Sequence, residues 1–380
     1  MANTLTGLIQ PIYASVDMLS REMVGMIPSV TVNGAAEMAA LNQDITYPIV
    51  EDDVSPYDVT PAATPPALLD SSYGTGTMKI TKVRAKRFYW TGDDEARVNS
   101  GVLTELQNNK ILAAMRKLVN EIEADLAGLY VSASRAYGTA GTTPFATAGD
   151  WTELANVLKI LKDNGAPTTD LRLVLNTAAG ANLLGKQSRV DLIGTDNPLL
   201  RGIIENRMNF QIRESAQIIS HTKGTGTGYL VNNASGIAVS ATDVAIDTGS
   251  GTVLAGDIVN FADAGTWNYV VGTGVAAAGT IALNKPGVRQ AIVDGKAMTI
   301  GNSYAANMAF SQSAIHLLSR LPKVPTSGDV AVDEMMVADP VSGIQFRVAM
   351  YKGYHANQIE ISTAWGVKAV KTEHITLLLG

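Results

Sequence analysis

The sequence holds 380 residues with 46% apolar side chains, a formal net charge of -6 and no cysteine, which excludes disulfides, thiolate metal sites and thiol nucleophiles and argues against a basic nucleic-acid reader. Its length exceeds one ordinary domain of roughly 150 residues, and its composition is that of a globular chain, neither disordered nor collagen-like. Charged residues make up only 17% against about 25% in typical soluble proteins, as in a chain that hides much of its surface against its own copies, or in a large monomer rich in Gly and Ala.

Leu5, Leu8, Ile12, Val16, Leu19 and Met23 fall at spacings of three and four, one apolar helical stripe bounded by Pro28. A break at Gly34-Ala35-Ala36 follows, so an arm laid over a neighbour and a first core helix are both open. No basic residue precedes Arg21, so no secretory signal is expected, and the missing cysteines suit a reducing cytosol.

Pro48 to Gly76 carries Pro56, Pro61, Pro65 and Pro66, too many for a helix interior or a central strand; such a long connection usually serves an outside partner. Met78 to Trp90 then alternates as a strand, and period two puts Lys82, Arg84 and Lys86 on one face. With Glu51-Asp52-Asp53 on the outgoing limb, a charged two-stranded ribbon reaching from the body is expected. Its basic face could meet phosphates, an acidic neighbouring subunit, or only solvent.

Ile111, Met115, Leu118, Ile122 and Leu126 predict a long helix, with Thr104 to Gln107 as a capping box in its first turn. A second helix is expected from Asp150 to the Asn164-Gly165 stop, a buried strand at Leu171 to Leu175, and a short helix from Ala178 to Val190. From Thr222 to Ile300 the helical period vanishes and turn signals recur about every ten residues, with 13 of the chain's 35 glycines, the rhythm of a small all-β barrel or sandwich. Met308, Ile315, Leu318 and Leu321 predict a helix after it, and Val330 to Leu379 a return to strands. A β-only block between two mixed stretches suggests a domain inserted into a discontinuous host. The longest charge-free stretch, Ala297 to Ser319, is interrupted by polar residues, so no transmembrane segment is expected.

Enzyme-like signals are few. Gly180 to Lys186 fits G-x-x-x-x-G-K, but Gln187 stands where magnesium needs Ser or Thr, and Leu183-Leu184 suit a core helix better than a phosphate loop. Gly224 to Gly228 is G-x-G-x-G and reads as a hinge; Ser220 to Lys223 matches S-x-x-K without its companion motifs. The four histidines include no H-x-x-x-H pair, so no metal, cofactor or catalytic residue is expected. Trp267 and Tyr269 could form a sugar-stacking platform, though core packing explains them as well.

The order of parts, with three stretches, carries a resemblance. Met1 to Thr6 through Ser20 to Pro28, Asn307 to Phe310 through Leu321-Pro322, and Asp339 to Val348 with Trp365 to Val370 resemble the arm, re-entry helix and closing strands of tailed-bacteriophage major coat proteins of the Hong Kong 97 fold. The likeness is to the short-tailed enterobacterial branch that carries an inserted β domain. It implies an α+β, Hong Kong 97-like capsid fold with N-terminal arm, extended loop, spine helix, peripheral and axial domains and a small all-β insert. The expected division is an arm at 1–34, body at 35–221 (extended loop about 48–90, spine helix about 99–130), insert at 222–300 and body again at 301–380. The function implied is a non-catalytic subunit that forms hexamers and pentamers closing an icosahedral shell around the phage genome, built in the host cytoplasm and residing in the virion. Implied partners are further copies of the chain, a scaffolding protein, a portal protein and non-specifically packaged double-stranded DNA, with no membrane. Lys82, Arg84, Lys86, Leu8 and Ile12 are then the expected inter-subunit contacts. A compartment-forming shell of the same fold and a nucleotide-binding enzyme using Gly180 to Lys186 are the alternatives.

Overall fold

One 28-residue helix and two large β-sheets organise the computed structural model, which describes residues 24–50, 61, 73–97, 100–147, 150–186, 206–262, 265–339 and 342–380. The apolar stripe before Pro28, with Leu8 and Ile12, lies outside the described residues, as do Glu51 to Asp53 and Gln187.

In chain order, a 3-10 turn at Ile27–Ser29 leads into β1 (Thr31–Ala39), β2 (Asp44–Val50), β3 (Tyr73–Lys79) and β4 (Lys82–Thr91). A short α1 (Gly92–Arg97) precedes the spine helix α2 (Ser100–Ala127) and β5 (Arg135–Tyr137). Next come α3 (Thr152–Asp163), β6 (Leu171–Leu175), α4 (Thr177–Lys186), β7 (Phe210–Glu214) and β8 (Ser220–His221). The glycine-rich stretch gives β9 (Leu230–Val231), β10 (Asp243–Asp247), β11 (Ile258–Phe261), β12 (Asn268–Thr273), β13 (Gly279–Leu283) and β14 (Met298–Ile300). The chain closes with β15 (Tyr304–Ser311), β16 (Ile315–Pro322), β17 (Asp333–Ala338), β18 (Gln345–Gly353), β19 (Ala356–Ala369) and β20 (Ile375–Leu379).

The first sheet runs β1-β16-β19-β18-β17, with β4 along the other edge of the 14-residue β19. The spine helix lies on it: Ile111, Met115, Leu118, Ile122 and Leu126 are all buried, in one cluster with Phe346, Ile359, Ile361 and Trp365. Burying one such side chain stabilises by about 1.5–3 kcal/mol, so this face fixes the helix to the sheet. The second sheet runs β7-β6-β15-β20-β5-β12-β13-β10-β9, and α3 and α4 supply Leu154, Val157, Leu161, Ala179 and Leu183 to a core on it. Helix α3 ends where Asn164-Gly165 predicts, Gly165 taking φ +76, a conformation that costs a Cβ-free residue little. The glycine-rich strands enclose their own core around Tyr229, Val244, Phe261, Tyr269 and Ile281 and join the body sheet through the β5–β12 pair.

Two expected elements differ. Met308 to Leu321 is not a helix but the strands β15 and β16. Strand β15 is hydrogen-bonded on both sides, to β20 and to β6, and buried along nearly its whole length; such a strand reads as an unbroken apolar run that periodicity does not separate from a helix. The ribbon is β2 paired with β3, and the basic strand is no part of it. Met78 and Ile80 bury against Leu318 and Ala364, Thr81 N–H donates to the Trp365 carbonyl, and the chain turns there to lay β4 on β19.

Candidate assembly surface around the basic strand

Alternation along β4 directs Lys82, Arg84, Lys86 and Phe88 to the side of the spine helix and Val83, Ala85 and Arg87 to the other. Lys82 Nζ lies 2.8 Å from Asp125 Oδ1 and 3.2 Å from Glu121 Oε1, and Arg84 Nε lies 3.3 Å from Glu121 Oε1. The hydrogen bond to Asp125 foremost holds the Lys82 ammonium above the usual lysine range. Asp125 also accepts from the buried Trp365 indole at 2.8 Å. The carboxylates that sequence reasoning sought for Lys82 and Arg84 on a neighbour are therefore present one turn apart on the chain's own spine helix; Lys86 is exposed and forms no ion pair among the described residues.

On the opposite face Arg87 pairs with Glu360 at 2.7 Å, beside a cleft of about 480 Å³ that the 322–329 connection closes. Arg347, with its side chain 4% exposed, reaches Glu334 at 2.7 Å and Asp329 at 3.2 Å, and Tyr351 donates to Asp329 at 2.6 Å. These hydrogen bonds hold the Arg347 guanidinium firmly charged despite its desolvation, so the cleft wall is cross-linked by one cation shared between two carboxylates.

Two buried polar centres went unread in the sequence, because their members are far apart along it. Glu123, 1% exposed on the spine helix, accepts from Met26 N–H (3.0 Å) and Ile27 N–H (3.3 Å), with Ser215 Oγ at 3.4 Å. Burial pushes its carboxyl up to about 7 against the backbone donors that favour the charged form. The second centre joins the glycine-rich unit to the body. Asp257, fully buried, accepts from Leu254 N–H (2.7 Å), Gly224 N–H (3.0 Å) and His221 Nε2 (2.8 Å). The other ring nitrogen of His221, Nδ1, lies 2.9 Å from the Tyr130 hydroxyl, so the ring links Asp257 to Tyr130.

The enzyme-like motifs dissolve into structure. Gly180 to Lys186 lies within helix α4, not in a phosphate-cradling loop, and the Lys186 ammonium is buried over the Phe145 and Trp151 rings, donating to the Asp150 carbonyl. Gly224 to Gly228 is tied to the 250–252 backbone. Tyr269 is 1% exposed, which removes it as a sugar platform, and Trp267, at the rim of a cleft of about 620 Å³, has Arg135 and Lys159 over its ring. Among the described residues no cluster of His, Asp and Glu could hold a metal, and no helix is long and apolar enough to cross a membrane.

No protein-family model and no curated protein matches the sequence. Solved structures do. A chain of the capsid structure of the cyanophage P-SCSP1u superposes with TM-score 0.50 at 10% identity, covering 92% of this chain and 86% of that one. A chain from Mycobacterium phage Che8 gives TM-score 0.44 at 14% identity over 89% and 84%. A virus-like particle from Pyrococcus furiosus gives 0.43 at 8% identity over 98% and 99%. The long helix against an open sheet, the two-stranded ribbon beside it and the second mixed sheet are together an α+β fold of the Hong Kong 97-like capsid type.

Proposed function

We propose that the chain is the major subunit of a tailed-phage capsid, assembling through hexamers and pentamers into an icosahedral shell around the genome. The observation that carries this reading is the fold, shared with the cyanophage capsid chain over 92% of the sequence. The β2–β3 ribbon supports it: among the described residues it forms a separate two-stranded sheet, packed on the body through Tyr47, Met78 and the Lys368 bond to the Thr77 carbonyl, and a ribbon with so little sheet of its own gains stability from further cover. The chain's low charge content fits a surface covered by its own copies.

Residues 222–300 are read as a β module inserted in the capsid body, as in the short-tailed enterobacterial branch; of the expected arm at 1–34, Met26 to Gly34 belong to the body through its core and the β1–β16 pair, and Leu8 and Ile12, outside the described residues, are read as contacts to a neighbour. Lys86 is the member of the basic face free to meet an adjacent subunit. Assembly in the host cytoplasm with a scaffolding protein, a portal, and DNA held loosely by an acidic shell completes the reading, since a wall that released many phosphate counterions would grip its cargo.

Expression of the chain with and without its neighbouring open reading frames, followed by negative-stain microscopy and sedimentation, tests it. Closed shells some tens of nanometres across are expected; a stable monomer under every condition refutes it.

A further inference from the structure

The root of the N-terminal segment is built around an acid that meets no cation among the described residues. Glu123 sits at 1% exposure on the spine helix, and its carboxylate takes the Met26 N–H at 3.0–3.1 Å and the Ile27 N–H at 3.3 Å, capping the 3-10 turn at Ile27–Ser29. Among the described residues every donor around it is neutral: those backbone groups, the Gly25 amide and the Ser215 hydroxyl. The seat is closely fitted. Ser29 Oγ donates back to the Gly25 carbonyl at 2.6 Å, and a Cβ at Gly25 would stand 2.4 Å from the Glu214 carbonyl oxygen, so only glycine passes.

Charged groups on the surrounding elements are engaged elsewhere. On the spine helix Glu121 and Asp125 face Lys82, Arg84 and Trp365. On β7 the Glu214 carboxyl turns toward Gly180, and Arg213, desolvated and next to the like charge of Arg172, makes no ion pair with Glu123 among the described residues. Val174 of β6 and the Met26 and Ile27 side chains contribute only apolar atoms.

We propose that Glu123 is a proton-linked clasp: closing the root of the N-terminal segment onto the spine helix takes up a proton, and raising the pH through neutrality loosens it.

The sign follows from the environment. In the open state Glu123 meets water and has its ordinary value of 4.5; in the closed state burial raises it to about 7. Protonated, the carboxyl still accepts one backbone N–H through its carbonyl oxygen and can donate its own hydrogen to Ser215 Oγ. Ionised, it is a buried anion compensated only by dipoles, the costlier case. The ratio of open to closed therefore grows by about tenfold between about pH 6 and about pH 8 and then levels off. The clasp is a property of the single chain, read at residues 24–30, and stands apart from the capsid reading.

Hydrogen exchange of the full-length chain, with rates divided by the intrinsic rate at each pH, reads the opening at residues 24–30, with β6 and β15 as internal references. Wild type should lose about tenfold in protection at 24–30 over that interval while the references hold. Glu123→Gln, which keeps one acceptor and one donor without titrating, should show a flat profile. Infrared spectroscopy gives a second measurement that needs no variant: a protonated-carboxyl band should vanish with a midpoint near 7, shifting with 13C-labelled Glu. Flat wild-type protection, a Glu123→Gln profile that follows wild type, or absence of that band overturns the proposal.

Discussion

Replacing Asp257 by Ala should detach the glycine-rich unit from the body more severely than any apolar truncation of comparable size. The wild-type carboxylate is fully buried and takes hydrogens from Leu254 N–H at 2.7 Å, Gly224 N–H at 3.0 Å and His221 Nε2 at 2.8 Å. Removing one acceptor strands three donors, each at a cost of about 1–3 kcal/mol. Water entering the vacated space recovers part of this, and the contributions are not additive, so a net loss of about 3–5 kcal/mol is expected, a large share of the 5–15 kcal/mol that holds a typical domain. The loss should be local. Gly224 lies where the chain enters the unit and Leu254 in the turn before β11, and His221 passes the contact to Tyr130 at the end of the spine, so exchange protection at 222–262 should fall before that of β6 or β15. Denaturant unfolding monitored by circular dichroism, with exchange mass spectrometry for location, reads both. A loss below about 1 kcal/mol, or one spread evenly over the chain, would refute the reasoning.

Lys82→Glu should destabilise the single chain by about 1–2 kcal/mol in urea unfolding, because it sets a third carboxylate beside Glu121 and Asp125, whereas Lys86→Glu should change it by less than about 0.5 kcal/mol. Equal effects would show that the two lysines do not differ in partners. Gly366→Ala should cost more than about 2 kcal/mol, since its Cβ would fall 2.0 Å from the Lys79 carbonyl oxygen, a backbone atom held by the sheet. Gly180→Ala should stay within about 1 kcal/mol of wild type, as the obstacle is the mobile end of Glu214 and alanine gains helix propensity. Magnesium-ATP should leave the thermal midpoint unchanged, and a rise would revive the phosphate-loop reading of Gly180 to Lys186.

Much of the fold is legible because local pattern and burial agree. Ile111 to Leu126 keeps a strict helical period since one face meets the sheet, and Leu171 to Leu175 is apolar at every position but Arg172 because β6 lies between β7 and β15. Reading fails where a strand is covered on both sides, as at Met308 and Phe310, or where register decides the outcome. The alternation of Lys82, Arg84 and Lys86 is correctly seen, but that Lys82 lies against Trp365 and within hydrogen-bond reach of Asp125 depends on pairing with residues almost three hundred positions away. Glu123 and Asp257 carry no local signal either: a lone acid in a helix or a turn is ordinary, and its meaning arises when Met26 or His221 arrives from elsewhere in the chain.

The low charge content gains force from where the charges are. Glu123, Arg135, Lys186, Asp257, Arg320 and Arg347 are all buried, and their partners lie within the chain: Arg320 donates to Asn33, Arg135 to Asn164, Arg347 to Glu334. A chain already poor in charge thus withdraws part of it from its surface. What remains outside includes large apolar groups on the first sheet and its hairpin, with Tyr354 93%, Val330 86% and Tyr89 67% exposed. Isolated exposed apolar residues need no explanation, but Tyr89, near the end of β4, and Tyr354, in the β18–β19 turn, come within a few residues of one another through the pairing of Thr91 with Ala356. A monomer would leave that end of the sheet wet at a cost of about 25 cal/mol for each Å² of apolar surface, whereas a shell subunit covers such area through repeated contacts with its copies.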